Sequence, residues 1–210
     1  MTLLALPRDR WNALIGRMAL AVPADAFDQI AAAYSEGHRA YHTTEHLLEC
    51  LAEFDGCRDL CERADEVEFA LWLHDAVYKT RSSDSELKSA EWAVKLLTEG
   101  GADADAAERV HAMIMGTLHT DHPTEGDGAL MLDIDLSILG RGEERFDRYE
   151  ADVRREYKWV PGPLFRSKRR GMLEQFLERP FLYATERFRR LYESQARANL
   201  TRSIERLARG

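Results

Sequence analysis

Cysteine is scarce in this chain of 210 residues, which holds three, at Cys50, Cys57 and Cys61. An odd number gathered in one stretch argues against a disulfide framework, and the spacing C-x6-C-x3-C fits no common zinc finger. Buried or semi-exposed thiols are the favoured reading, with a cysteine-based zinc site as the alternative. Proline is rare too, six residues, nearly all placed where segments join. No apolar run approaches the roughly 18 to 20 residues that cross a bilayer, and Met1-Thr2-Leu3-Leu4-Ala5-Leu6 lacks a basic flank before Pro7-Arg8-Asp9. A cytoplasmic chain without a membrane partner is therefore expected. Glycine-rich phosphate loops, G-x-S-x-G and H-E-x-x-H are absent, so nucleotide-triphosphate motors, serine hydrolases and zincin peptidases have no local support.

What is present is an ordinary globular balance, 45% hydrophobic and 31% charged, in a length compatible with one domain over residues 1–210. The net charge of −8 is unevenly spread: residues 154–210 carry 15 basic and 6 acidic side chains, leaving 14 basic and 31 acidic for the rest. Because the basic residues are interleaved with Phe, Leu, Tyr and Glu at helical spacing, they read as helices packed beside an acidic surface. Overall acidity argues against a nucleic-acid partner. Oligomeric state is not legible.

Ala, Leu, Glu and Arg dominate throughout, and the punctuation by Pro and Gly divides the chain into about nine or ten helices, an all-α bundle. The spacing predicts helices over 8–21, 24–36, 42–54, 65–78, 103–119, 131–139, 143–159, 164–177 and 183–207. Another is opened by the capping-box pattern Ser83-Asp84-Ser85-Glu86 and runs to Thr98. Residues 164–210 are expected to pack on the rest as C-terminal helices. The tryptophans, Trp11, Trp72, Trp92 and Trp159, read as core or core-edge.

The fourth of these helices contains Phe69-Ala70-Leu71-Trp72-Leu73, apolar most of the way round and therefore central, and it leads into His74-Asp75. A buried carboxylate is costly unless paired or metal-bound, and a neighbouring histidine supplies a neutral nitrogen donor. A capped or ion-paired couple is the plainer explanation of the dipeptide alone. His42 and His46 stand at i and i+4, which on a helix shares one face. A histidine pair at the core edge is the plainer reading. Asp133-Ile134-Asp135 lies in an apolar segment; residues two apart diverge around a helix, so Asp135 is read as the ligand and Asp133 as a cap or a supporting partner.

The order His46, His74-Asp75, Asp135 resembles the H...HD...D pattern of the HD-domain superfamily of metal-dependent phosphohydrolases. Four blocks resemble, more narrowly, a bacterial subfamily of predicted HD phosphohydrolases of undefined substrate: Tyr41-His42-Thr43-Thr44-Glu45-His46-Leu47, Leu73-His74-Asp75-Ala76-Val77-Tyr78, Leu132 to Gly140, and Arg154-Arg155-Glu156-Tyr157-Lys158-Trp159-Val160. The similarity spans about residues 8–208. It implies an HD-like all-α domain with metal ligation by His46, His74, Asp75 and Asp135, and chemistry centred on His74 and Asp75. Many relatives in the superfamily place two further histidines before the final aspartate; His111, His119 and His122 occupy that interval without a clean match, as candidates for a second metal.

A mixed His/carboxylate set suits a divalent ion such as Mn, Fe, Ni, Zn or Mg. Such an ion activates water for attack on a phosphate ester of a small metabolite, here read as a nucleotide. His42, Lys79 and Arg154 are candidate contacts to the substrate phosphate, each with the plain alternative of a solvated charge. The rival function is a non-catalytic metal- or nucleotide-binding sensory module on the same fold.

Overall fold

A buried polar knot sets the first half of the molecule. Glu68 lies on the apolar helix α4 (Ala64–Leu73) with its carboxylate 2% exposed, and three guanidinium groups converge on it. Arg10 on α1 (Arg8–Arg17) donates at 2.7 Å, Arg17 at 2.8 Å, and Arg58, in the 3-10 turn Arg58–Leu60, at 2.9 Å. Arg10 also holds Asp55 with two bonds, and Arg17 and Arg58 share Asp65, so the charge buried with Glu68 is fully matched. Around the knot pack Trp11, Phe69 and Trp72, with ring centroids 5.4 and 5.7 Å from Trp11.

The computed structural model describes residues 5–118 and 125–209. Among them it has ten α-helices and no strand, as the composition predicts. The others are α2 (Ala26–Tyr34), α3 (Thr44–Cys57), α5 (Ser85–Glu99), α6 (Ala104–Met115), α7 (Gly126–Asp135), α8 (Glu143–Glu156), α9 (Gly162–Glu178) and α10 (Glu186–Arg209). Backbone contacts divide the chain into two compact units, Met1–Ile134 and Asp135–Gly210. The division falls at the last residue of α7, so Asp135 is carried by a helix whose other residues belong to the first unit. Among the described residues no helix is long and apolar enough to cross a membrane.

In the first unit α4 packs against α1, α3, α5 and α6, which makes it the central helix that its apolar run implies. Helix α6 is capped by Asp103, whose carboxylate accepts the Ala106 N–H at 2.6 Å. Helix α5 starts two residues after Ser83 with no side-chain cap, so the Ser83–Glu86 box does not form. Instead Ser85 Oγ accepts from Lys79 N at 3.1 Å and Ser89 Oγ accepts from Val77 N at 3.0 Å. These serines hold the segment that follows α4. At the far end of α5, Gly100 admits no side chain, because a Cβ would stand 2.7 Å from Leu96 O.

In the second unit α10 packs on α9 and on the 3-10 turn Leu136–Gly140, and α8 packs on the same turn. A Cβ on Gly140 would meet Tyr192 Cβ at 2.5 Å, so only glycine permits this approach. The basic C-terminal helices meet the acidic face of α8, as the charge pattern implies. Arg169 is bonded to Glu150 and to Tyr149 Oη, Ser203 donates to Glu150 at 2.7 Å, and Arg202 and Arg206 pair with Asp147. Trp11 and Trp72 are buried, whereas Trp159, past the end of α8, is 45% exposed. It leaves the core because α8 stops at Glu156, short of the expected Trp159.

Candidate metal centre

The site is assembled at helix ends. Thr43 caps α3 by accepting the Glu45 N–H at 3.3 Å, which starts the helix just before His46 and leaves His42 outside it. The expected pairing of His42 and His46 on one helical face therefore does not occur. His42 instead stacks on Tyr78, centroids 4.0 Å apart at 26°, with its ring 6.0 Å from that of His46.

Helix α4 ends at Leu73, five residues before the expected Tyr78, although no Gly or Pro stands there. The segment beyond it is held by Arg39, buried between α2 and α3. Its guanidinium donates to the carbonyls of Asp75 at 2.7 Å, Ala76 at 3.0 Å and His42 at 3.0 Å, so the residues after Leu73 are tied to the chain before α3. Tyr34 adds its hydroxyl as acceptor for the Asp75 N–H at 3.3 Å. His74 and Asp75 thus sit on a turn held by side chains from elsewhere, which turns both toward α3. Burial pushes the Tyr34 hydroxyl up to about 12, so it stays a neutral partner.

His46 and His74 are 2% and 1% exposed, and their Nε2 atoms lie 3.2 Å apart. Asp75 Oδ2 is 3.2 Å from His74 Nε2 and 3.4 Å from His46 Nε2. Two donors about 2.1 Å from one ion, roughly 90 to 110° apart, stand about 3.0 to 3.4 Å from each other. The triangle has that size. His74 Nδ1 is 2.8 Å from Leu71 O, and because a carbonyl only accepts, Nδ1 carries a hydrogen and Nε2 is the nitrogen that faces His46 and Asp75. Donation from the second ring nitrogen to a carbonyl is the usual orienting contact of a metal-binding histidine.

His46, Cys50, His74 and Asp135 form a group that can hold a metal ion, their ligand atoms all within 4.8 Å of one another. Asp135 reaches it from the end of α7 and is half-buried. Helix α7 is fixed at its other end by Asp127, whose two carboxylate oxygens accept the N–H groups of Glu62 and Arg63 at 2.8 Å each, just before α4. Burial alone raises the Asp75 carboxyl, but the imidazoles of His74, His42 and His46 outweigh it and hold the group well below the usual carboxylate range. An ionised carboxylate among imidazoles is an arrangement in which a divalent cation can replace protons.

The remaining candidates fall elsewhere. Asp133 is 1% exposed and well inside α7, which begins at Gly126; it therefore cannot cap that helix, as one reading of the sequence had it. Lys79 is exposed at the end of the pinned segment. Arg154 belongs to the second unit and closes the end of α8, donating to Tyr157 O at 2.7 Å and Val160 O at 3.0 Å, with its guanidinium over the Phe165 ring. His111 lines a groove of about 370 Å³ with Glu91, Val94, Lys95, Thr98 and Glu99 and is not part of the metal-competent group. His119 and His122 lie outside the described residues.

Two contributors were missed in the sequence. Cys50 had a signal, since it follows His46 by one helical turn on α3. Arg39 had none, because its role is to bind carbonyls remote in sequence. No protein-family model, curated protein or solved structure matches the chain.

Proposed function

We propose that this protein is a metal-dependent phosphohydrolase of the HD type, cleaving a phosphate ester of a small metabolite of the nucleotide class. The observation that carries the reading is the triangle of His46 Nε2, His74 Nε2 and Asp75 Oδ2, with sides of 3.2, 3.2 and 3.4 Å. Its residues stand in the H...HD...D order that resembles the superfamily, on an all-helical chain, with Asp135 close by.

His46, His74, Asp75 and Asp135 would hold the ion, and the nitrogen and oxygen donors suit Mn, Fe, Ni, Zn or Mg. A bound divalent ion supplies an acidified water and neutralises charge growing on the phosphoryl oxygens. The chain's own part is orientation. Leu71 O fixes the His74 ring, Arg39 and Tyr34 fix the backbone of Asp75, and Asp127 fixes the start of the helix that ends in Asp135. His42 and Tyr78 form a stacked, half-buried pair beside the two imidazoles, within reach of a substrate there.

The test is a screen of phosphomonoesters and phosphodiesters with manganese-loaded protein, run beside Asp75→Ala. Turnover of at least one ester, lowered a hundredfold or more in the variant, is the expected result. Equal turnover by both proteins, or none by either, would remove the reading. Tight nucleotide binding without hydrolysis would favour the sensory module instead.

A further inference from the structure

We propose that the second unit carries a binding groove for a small organic anion, an oxyanion on a short apolar body, with Arg154 and Arg166 as its cationic contacts. The residues concerned take no part in the metal-competent group, so the inference stands apart from the hydrolase reading.

The groove has a volume of about 370 Å³, a size common among small-molecule sites, and it is walled by α8, the first turn of α9 and the last turns of α10. Ala151, Phe165 and Leu207 give it an apolar lining, beside which charged groups stand. Its two carboxylates are already matched. Glu150 is paired with Arg169 and accepts from Ser203 at 2.7 Å, and Asp147 is paired with Arg202 and Arg206.

Two guanidinium groups of the same groove have no carboxylate. Arg154, half-buried, donates to the carbonyls of Tyr157 and Val160 and lies 4.6 Å from the Phe165 ring centroid; none of these partners carries a charge. Those bonds leave further N–H donors of its fork unused. Arg166, also half-buried, has neither an ion pair nor a hydrogen bond among the described residues. Its Nη1 lies 3.4 Å from the place that a Cβ on Gly162 would take, so its guanidinium is folded back over Gly162, itself part of the groove wall.

Two like charges on one groove repel each other, and an anion taken up between them turns that repulsion into attraction. A guanidinium fork matches the paired oxygens of a carboxylate or of a phosphoryl group, and the apolar body lies against Ala151, Phe165 and Leu207. The shared chemistry is the oxyanion; whether carbon or phosphorus bears it is read from the probes.

Calorimetric titration of the full chain with benzoate and with phenylphosphonate, which has no ester to cleave, decides this, in a buffer with chelator so that no metal ion offers another anion site. Expected is one site per chain for at least one probe, with Kd below about 1 mM. Arg166→Ala, which removes no internal bond, should keep the helical circular dichroism and weaken binding about tenfold or more, as for the loss of a charged hydrogen bond. Benzoate alone assigns a carboxylate ligand, phenylphosphonate alone a phosphoryl ligand, and both an oxyanion of either kind. Binding of neither probe, equal binding of the neutral benzyl alcohol, or an affinity unaltered in Arg166→Ala overturns the proposal. A measurement on the unaltered protein stands beside the variant: saturating probe should slow phenylglyoxal modification of Arg166, followed by mass spectrometry, and an unchanged rate refutes the site.

Discussion

The Nδ1 hydrogen of His74 is committed to the Leu71 carbonyl, and that commitment points the other nitrogen at His46. Replacing either imidazole removes a nitrogen donor from the group. His46→Ala and His74→Ala are each expected to lose bound metal after purification in zinc or manganese, measured by elemental analysis; undiminished metal in both would refute the assigned ligands. A separate thiol gives a pH prediction. Burial, reinforced by the nearby Asp127 carboxylate, pushes the Cys61 thiol up to about 12. Its reactive thiolate is therefore sparse at pH 8 and grows as pH rises toward 12. Alkylation at Cys61, followed by mass spectrometry, should run about a hundredfold or more below that of a small free thiol at pH 8. A rate matching the free thiol would contradict the assigned environment.

At the scale of helices, the most consequential interaction is the carboxylate of Glu68 held by Arg10, Arg17 and Arg58. Removing one partner of a buried ionic cluster strands the others, so Glu68→Ala should cost about 3 to 5 kcal/mol in urea-induced unfolding. A loss below about 1 kcal/mol would mean that water already compensates the arginines. Arg39→Ala tests the second device. Freed from the guanidinium, the Asp75 turn loses its position, and metal affinity should fall about tenfold or more by calorimetric titration, as when an orienting partner of a ligand is removed. Unchanged affinity would reduce Arg39 to a packing role.

These two devices mark the boundary of what was legible. Helix number and class follow from Pro, Gly and a strong 3.6-residue pattern, and the centrality of α4 follows from Phe69 to Leu73. The early stop of α4 does not, because no local breaker stands there and the segment beyond it is held by Arg39 and Tyr34 across the fold. His42 was misplaced for a related reason: Thr43 is a better cap than the residues before it, which moves the helix start past His42. Asp133 was read as a cap because the start of α7 at Gly126 carries weak helix formers, and the stretch before it resembled a loop.

For the whole molecule, a ligand that binds only the folded chain stabilises it by an amount that grows with the logarithm of its concentration over Kd. At a metal concentration about one hundred times Kd the gain is about 2.7 kcal/mol, which for a chain of this size raises Tm by roughly 5 to 10 °C. Calorimetry with and without a chelator checks this, and identical transitions would deny a folded-state site. The uneven charge of the chain is met in part within the second unit, where Arg169, Arg202 and Arg206 pair with Glu143, Asp147 and Glu150 on α8.

Helices α4 and α7 are each 10 residues long, and Asp127 ties the beginning of one to the beginning of the other. His74 and Asp135 stand at their finishing ends, so the two helices work as matched rulers laid from a common zero. Adding one alanine to the middle of α7 would advance Asp135 by about 1.5 Å and swing it about 100° round the axis, with every core contact beyond the insertion put out of step. A change of length in either rod would therefore part Asp135 from His74, a constraint that the loops around them do not share.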